Sequence, residues 1–223
     1  MELKLTNTDM NAVTCGDSNY INAKGANYYN EGNYALAVEY YRLAAAMGNL
    51  NAVSNLGYCY LYGRSIEANL SLALAYFKSA AFREDIDACY KLGDIYGSDK
   101  WGVKDKEMSV YYYRMAASFI FDEDFREADI LQNETLIRYP SLAFAMGRET
   151  GLGGSLMTDL DVSFRFLKVA EIGYETDLAN GSSFYQEAYQ SVLEWLEKEE
   201  YQKIKEKYKF IYEDNNDDEL IQS

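Results

Sequence analysis

Among its 223 residues the chain has no histidine. That removes the commonest general base, every His-dependent triad and any imidazole metal ligand. Proline occurs once, so helices are rarely interrupted. Cysteine is sparse: Cys15, Cys59 and Cys89 make an odd set with no CxxC spacing, indicating neither a disulfide framework nor a zinc site and leaving buried or free thiols. No run of about 18 apolar residues is present, so no membrane span is expected. The opening "MELKLTNTDMNAVTCG" lacks the basic start and apolar stretch of a secretory signal, and the expected location is the cytoplasm. Basic residues are outnumbered, 21 Lys and Arg against 36 Asp and Glu, giving a net charge of −15. Such a balance repels nucleic-acid phosphates and suits a basic partner.

Apolar residues make up 48% of the chain and tyrosine alone contributes 22, a globular composition with few strand signals. "ALAYFKSAA" at Ala73–Ala81 returns as "SVYYYRMAA" at Ser109–Ala117. The alanines Ala44, Ala80 and Ala116 stand 36 residues apart, and Ala170 follows after a further 54, or 36 plus an insertion of 18. A basic residue lies two places before each: Arg42, Lys78, Arg114 and Lys168. Gly57, Gly93 and Gly147 each precede their alanine by 23 residues, and Gly25 precedes Ala44 by 19. Constant spacing within units and variable spacing between them describes a repeated supersecondary element with free connectors.

Around each glycine the positions −4, −1, 0 and +3 form one mostly apolar stripe of a first helix, spoiled only by Lys24 and Thr150. Glycine in mid-helix costs about 1 kcal/mol against alanine, so four at one register imply a helix approaching too closely for a side chain. Eleven residues before each alanine stand Asn33, Asn69, Asp105 and Asp159, which are predicted to cap four second helices. Those helices present a small residue at −7 (Ala37, Ala73, Ser109, Ser163) and an aromatic at −4 (Tyr40, Tyr76, Tyr112, Phe166).

The stretch "NLGYCYLYGRSIEANLSLALAYFKSAA" resembles the Sel1-like repeat, a relative of the tetratricopeptide repeat. Leu56-Gly57, Tyr60, Gly63, Asn69, Ala73, Tyr76-Phe77 and Ala80-Ala81 follow its pattern in order, and Leu92-Gly93, Tyr96, Asp105, Tyr112-Tyr113 and Ala116-Ala117 follow it again. A fourth unit keeps Gly147, Gly153, Asp159 and Ala170 but has Thr150 and Glu171 at two signature positions, and the first, with its tight "NEGN" turn, looks more like an ordinary tetratricopeptide hairpin. The resemblance implies an all-α fold, a right-handed α-solenoid of antiparallel helical hairpins, and a non-enzymatic adaptor or scaffold.

The expected organisation is an N-terminal extension (1–17), four repeats (18–173) with an insertion at about 118–139, a C-terminal capping helix (174–212) and an acidic, unstructured tail (213–223). The insertion either prolongs a second helix or adds a short one. Pro140 is predicted to open the next first helix, and Ser182 or Ser183 to cap one long helix carrying Tyr185, Tyr189, Val192 and Leu196. "GLGGS" at Gly151–Ser155 lacks the Gly-Lys-Ser/Thr of a phosphate loop and has no strand before it. The acidic pairs lack the frame of a calcium loop. No catalytic residue, cofactor or metal is predicted.

Positions −3, +1 and +5 of the first helices turn away from the core stripe, where tetratricopeptide-like arrays line a concave groove. With position −2 they supply the candidate binding residues Asn22, Asn55, Tyr58, Tyr62, Tyr90, Lys91, Asp94, Phe144 and Arg148. Tyrosine gives large contact area with a polar tip at low entropic cost, which suits recognition of a protein or peptide. A second expectation from the charge is an immunity-type protein that neutralises a basic toxin by direct binding.

Overall fold

Side chains that accept hydrogen bonds open most helices of the chain, and their spacing sets its architecture. The structure, a computed structural model, describes residues 3–122 and 124–217. It divides into two compact units, Met1–Phe119 and Ile120–Ser223. In the first, Thr6 caps α1 (Asn7–Cys15), Asp17 caps α2 (Ser18–Asn30), Asn33 caps α3 (Tyr34–Ala46) and Asn49 caps α4 (Leu50–Tyr62). Asn69, Asp85 and Asp105 then cap α5 (Leu70–Ala81), α6 (Ile86–Gly97) and α7 (Lys106–Ser118). Each cap satisfies a backbone N–H that the first helical turn leaves without an internal partner. No strand occurs among the described residues.

The helices pair as antiparallel hairpins, α2 with α3, α4 with α5 and α6 with α7, and successive hairpins stack through α3 on α4 and α5 on α6. The first unit is thus an α-solenoid. The register glycines explain the close pairing: a Cβ at Gly25, Gly57 or Gly93 would stand 2.8 Å from the ring of Tyr41, Phe77 or Tyr113. The tyrosine three residues after each glycine then stacks on its partner helix, Tyr28 on Tyr40 at 5.4 Å, Tyr60 on Tyr76 at 5.4 Å and Tyr96 on Tyr112 at 5.9 Å. Arg42 and Lys78 of one hairpin lie beside Tyr60 and Tyr96 of the next, which raises the pKa of both cations, and the Lys78 ammonium stands 5.6 Å from the Tyr96 ring centre. In the first two repeats the basic residue two places before the alanine therefore meets the tyrosine of the next repeat.

Lys24, an exception in the apolar stripe, meets α1. Its ammonium lies 2.7 Å from Asp9 Oδ1, while Asp9 Oδ2 accepts from the Thr6 backbone and hydroxyl and from the Tyr40 hydroxyl. Asp9 is fully buried. Burial would raise its pKa, but the Lys24 ammonium and the Thr6 and Tyr40 donors outweigh that and hold it well below the usual carboxylate range.

The second unit reuses the hairpin with altered contacts. After α8 (Glu134–Ile137), α9 (Pro140–Thr150) pairs with α10 (Leu160–Ala179), which Asp159 caps. The insertion thus adds a short helix. Pro140 occupies the first turn of α9. A Cβ at Gly147 would stand 2.8 Å from Leu167. Thr150, standing where the other units have tyrosine, is buried and donates its hydroxyl to the Met146 carbonyl at 2.7 Å. Phe166 packs instead against Phe121 and Phe125 of the insertion, at 6.3 and 5.7 Å. Aromatic surface missing from the first helix is supplied by the inserted segment.

The stretch read as one helix from Ser182 is divided into a 3₁₀ turn (Ser183–Tyr185), α11 (Gln186–Leu196) and α12 (Glu199–Asp217), and neither Ser182 nor Ser183 forms the expected side-chain cap. Val192 and Leu196 are buried on α11, Tyr201 and Tyr208 on α12. Five residues from Leu196 to Tyr201 is about 140° of helix, so both sets cannot share one face without a break. Tyr201 hydrogen-bonds Ser163 at 2.7 Å, and Tyr208 stacks on Phe164 at 5.4 Å while donating to Asp161 at 2.9 Å. Helical backbone continues to Asp217, into the segment expected to lack structure; residues 218–223 lie outside the described residues.

Candidate functional site

The candidate residues separate by what the fold already asks of them. Asn55 donates to Asn22 at 3.1 Å, just as Asn49 donates to Asn19 at 2.9 Å, so these asparagines join α4 to α2. Tyr58, Tyr62, Tyr90, Lys91 and Asp94 come together on α4 and α6. Tyr58 and Tyr62 stack at 6.4 Å one turn apart. Lys91 holds its ammonium 5.4 Å from the Tyr58 ring centre, 4.8 Å from that of Tyr90, and 3.3 Å from Asp94 Oδ2. Only 7% of Lys91 is exposed. Aromatic faces and a carboxylate offset the cost of burying its charge.

The patch extends to residues that spacing alone does not reveal. Between α6 and α7 a 3₁₀ turn (Asp99–Trp101), closed by Gly102 in the left-handed region, places Trp101 6.0 Å from Tyr62. Lys100 lies over both rings. Tyr62 remains 42% exposed. At the other end, the α6 cap Asp85 accepts from Ser54 at 2.9 Å, and Asp87 lies in the first turn of α6. Asp87 is exposed, yet lost hydration and the charge of Asp85 push its pKa up to about 6 against the opposing pull of Lys91. Burial, then Asp87 and the neighbouring tyrosines, raise the Tyr58 hydroxyl well above its ordinary value, so it stays a hydrogen-bond donor. The signal for Trp101 was a tryptophan beside lysine in a connector, and for the aspartates their place at the helix start.

Phe144 and Arg148 belong to the second unit and form a separate cluster. Arg148 lies over the Phe144 ring at 5.2 Å, Phe144 meets Trp195 of α11 edge-on at 6.5 Å, and Lys198 covers the Trp195 face. A cleft of about 290 Å³ opens among α10, α11 and α12 over Phe164, Leu193 and Leu196. At its rim Lys168 pairs with Glu171 and Lys205 with Glu197. Burial pushes the thiols of Cys59 and Cys89 up to about 11 and about 12, so neither is a thiolate at neutral pH. Among the described residues no three Asp, Glu or Cys side chains converge to hold a metal, and no helix is long and apolar enough to cross a membrane.

With the hairpins, register glycines and stacked tyrosines established, the comparison with family models is decisive for the first unit. The Sel1 repeat model matches residues 18–49, 51–81 and 86–118. Three segments of the first unit match the Sel1 repeat. These three matches coincide with the hairpins α2–α3, α4–α5 and α6–α7. Sel1 repeats generally act as protein-interaction scaffolds. Among solved structures, this chain is similar to c5321, a protective antigen of uropathogenic Escherichia coli strains displaying an SLR fold, with 23% identity over 72% of this chain and a TM-score of 0.53. It spans 32% of that antigen's length. A Sel1 repeat protein from Oxalobacter formigenes matches with 25% identity over 49% of this chain and 85% of its own, at a TM-score of 0.42. A comparison with curated protein sequences finds no match.

Proposed function

We propose that the chain is a non-enzymatic scaffold whose first unit binds a protein or peptide through the α4–α6 face. The observation that carries this reading is the different use of neighbouring tyrosines on one helix. Tyr60 is spent on the Tyr76 stack inside its own hairpin. Tyr58 meets Phe77 edge-on at 5.0 Å and stacks on Tyr62, and Tyr62, the more open of the two, is joined by Lys100 and Trp101 rather than by a ring of the partner helix. Aromatic side chains stiffened by neighbours and left partly open are the groups that dominate protein interfaces.

A photo-cross-linking residue tests this in the cells that make the protein. Tyr62→p-benzoylphenylalanine should give a defined protein adduct. The same substitution at Tyr111, which is 56% exposed on α7, should give none. Adducts from Tyr111 but not Tyr62 reject the assignment.

The neutralising reading has one observation in its favour. Residues 1–119 hold 11 basic and 13 acidic residues, a net −2, whereas residues 120–223 hold 10 and 23, a net −13. A partner drawn by charge alone would cross-link from Glu194 on α11, which is exposed, rather than from Tyr62.

A further inference from the structure

The α4–α6 face combines rings with an uneven set of charges. At the start of α6, Asp85 accepts from Ser54 of α4 at 2.9 Å and Asp87 follows in the same first turn, one turn before Lys91, whose ammonium lies 5.4 Å from the Tyr58 ring centre. Lys91 is the cation beside them, and its ammonium also lies against Asp94 and the Tyr58 and Tyr90 rings. Three carboxylates against one lysine leave this end of the face with excess negative charge, beside aromatic edges and faces that favour cations. The opposite end, where Lys100 lies over Tyr62 and Trp101, has no such excess.

Resting on the reading above that this face binds a partner, we propose that its occupant is an extended segment bearing arginine or lysine, with the cationic group seated at Asp85 and Asp87 beside Tyr58 and an apolar or aromatic neighbour against Tyr62 and Trp101. Charge complementarity selects this occupant: an acidic segment would meet two aspartates with no compensating cation of its own, and a neutral one would leave their mutual repulsion in place. The net charge of −15 steers basic partners toward the molecule. The aspartates, unlike the bulk of the charge in residues 120–223, lie where rings can hold the partner.

A random peptide library displayed on phage and selected against the full chain tests the proposal. Enriched sequences should carry arginine or lysine next to an aromatic or large apolar residue. Binding of a synthesised enriched peptide should fall about tenfold or more in Asp85→Asn/Asp87→Asn, as loss of a close charge partner does. Asparagine caps helices as well as aspartate does, so α6 is retained. Glu194→Gln should leave binding unchanged. Basic peptides held equally by the double variant overturn the proposal, because the attraction then lies elsewhere. Neutral or acidic peptides that still depend on Tyr62 also overturn it while leaving the binding face intact. Peptides insensitive to both changes, or no enrichment at all, reject the face as well.

Discussion

The two units solve one packing problem with different side chains. In Met1–Phe119 each hairpin joins a register glycine to an aromatic of the partner helix and stacks a tyrosine pair beside it. In Ile120–Ser223 the glycine remains, but the ring beneath it becomes Leu167, the first tyrosine becomes Thr150, and Phe121 and Phe125 cover Phe166. The close helix approach is the shared requirement, and the aromatic stack is one way of filling the space around it. The units also differ in charge, −2 against −13. Regular repeats thus coincide with near neutrality and an aromatic face, while the irregular unit holds most of the acid.

The largest expected difference lies in how each unit anchors a terminal helix. Lys24→Met leaves Asp9 buried without its cation and should cost about 3–5 kcal/mol in denaturant unfolding, the range for breaking one half of a buried pair. Because Asp9's pKa is depressed in the folded chain, its contribution is present above the ordinary carboxylate range and is lost as pH falls toward the depressed value. Lys207 and Asp161 make the corresponding contact of α12, but Lys207 is 64% exposed. Lys207→Met should leave the midpoint nearly unchanged. Equal losses in the two variants would erase this contrast.

The register glycines give the next effect. Gly57→Ala forces a methyl against the Phe77 ring and should destabilise by about 1–3 kcal/mol, the usual cost of overpacking. Gly147→Ala meets chiefly the branched end of Leu167, which has more freedom to turn aside. Its melting temperature should therefore fall less. The reverse order would show that the ring is not what enforces the glycine.

The smallest effect concerns Asp87. Its folded pKa of about 6 exceeds the ordinary carboxylate value, so the folded state binds the proton more tightly and stability declines as pH rises from about 4 to about 6. Asp87→Asn should flatten that decline and give a small gain at neutral pH, read from melts across the window. A variant that loses stability at neutral pH would mean Asp87 is already stabilised by a cation.

Much of this was legible in residue spacing. The caps Asn33, Asn69, Asp105 and Asp159, the glycine register and the first-turn Pro140 follow from rules that act within one helix or between two neighbours. The role of Lys24 was not, because its partner Asp9 comes from a separate helix; the only local hint was Thr6 three residues before Asp9, a capping box with aspartate in place of glutamate. The break after Leu196 was visible only as a shift of apolar register. At the candidate site, spacing brought Tyr58, Tyr62, Tyr90, Lys91 and Asp94 to one face, but it also put Asn22 and Asn55 there, which bond each other. Trp101 came from a connector, where periodicity carries no information.

Tyr60 and Tyr62, two residues apart on α4, test the central claim most directly. Tyr60→Ala and Tyr62→Ala should be compared by thermal melt and by affinity for a peptide selected on the intact chain. The account predicts a marked fall in melting temperature for Tyr60→Ala, which loses its Tyr76 stack, and for Tyr62→Ala a near-native melt with affinity reduced about tenfold or more. Undiminished affinity in Tyr62→Ala, with the fold intact, would contradict it.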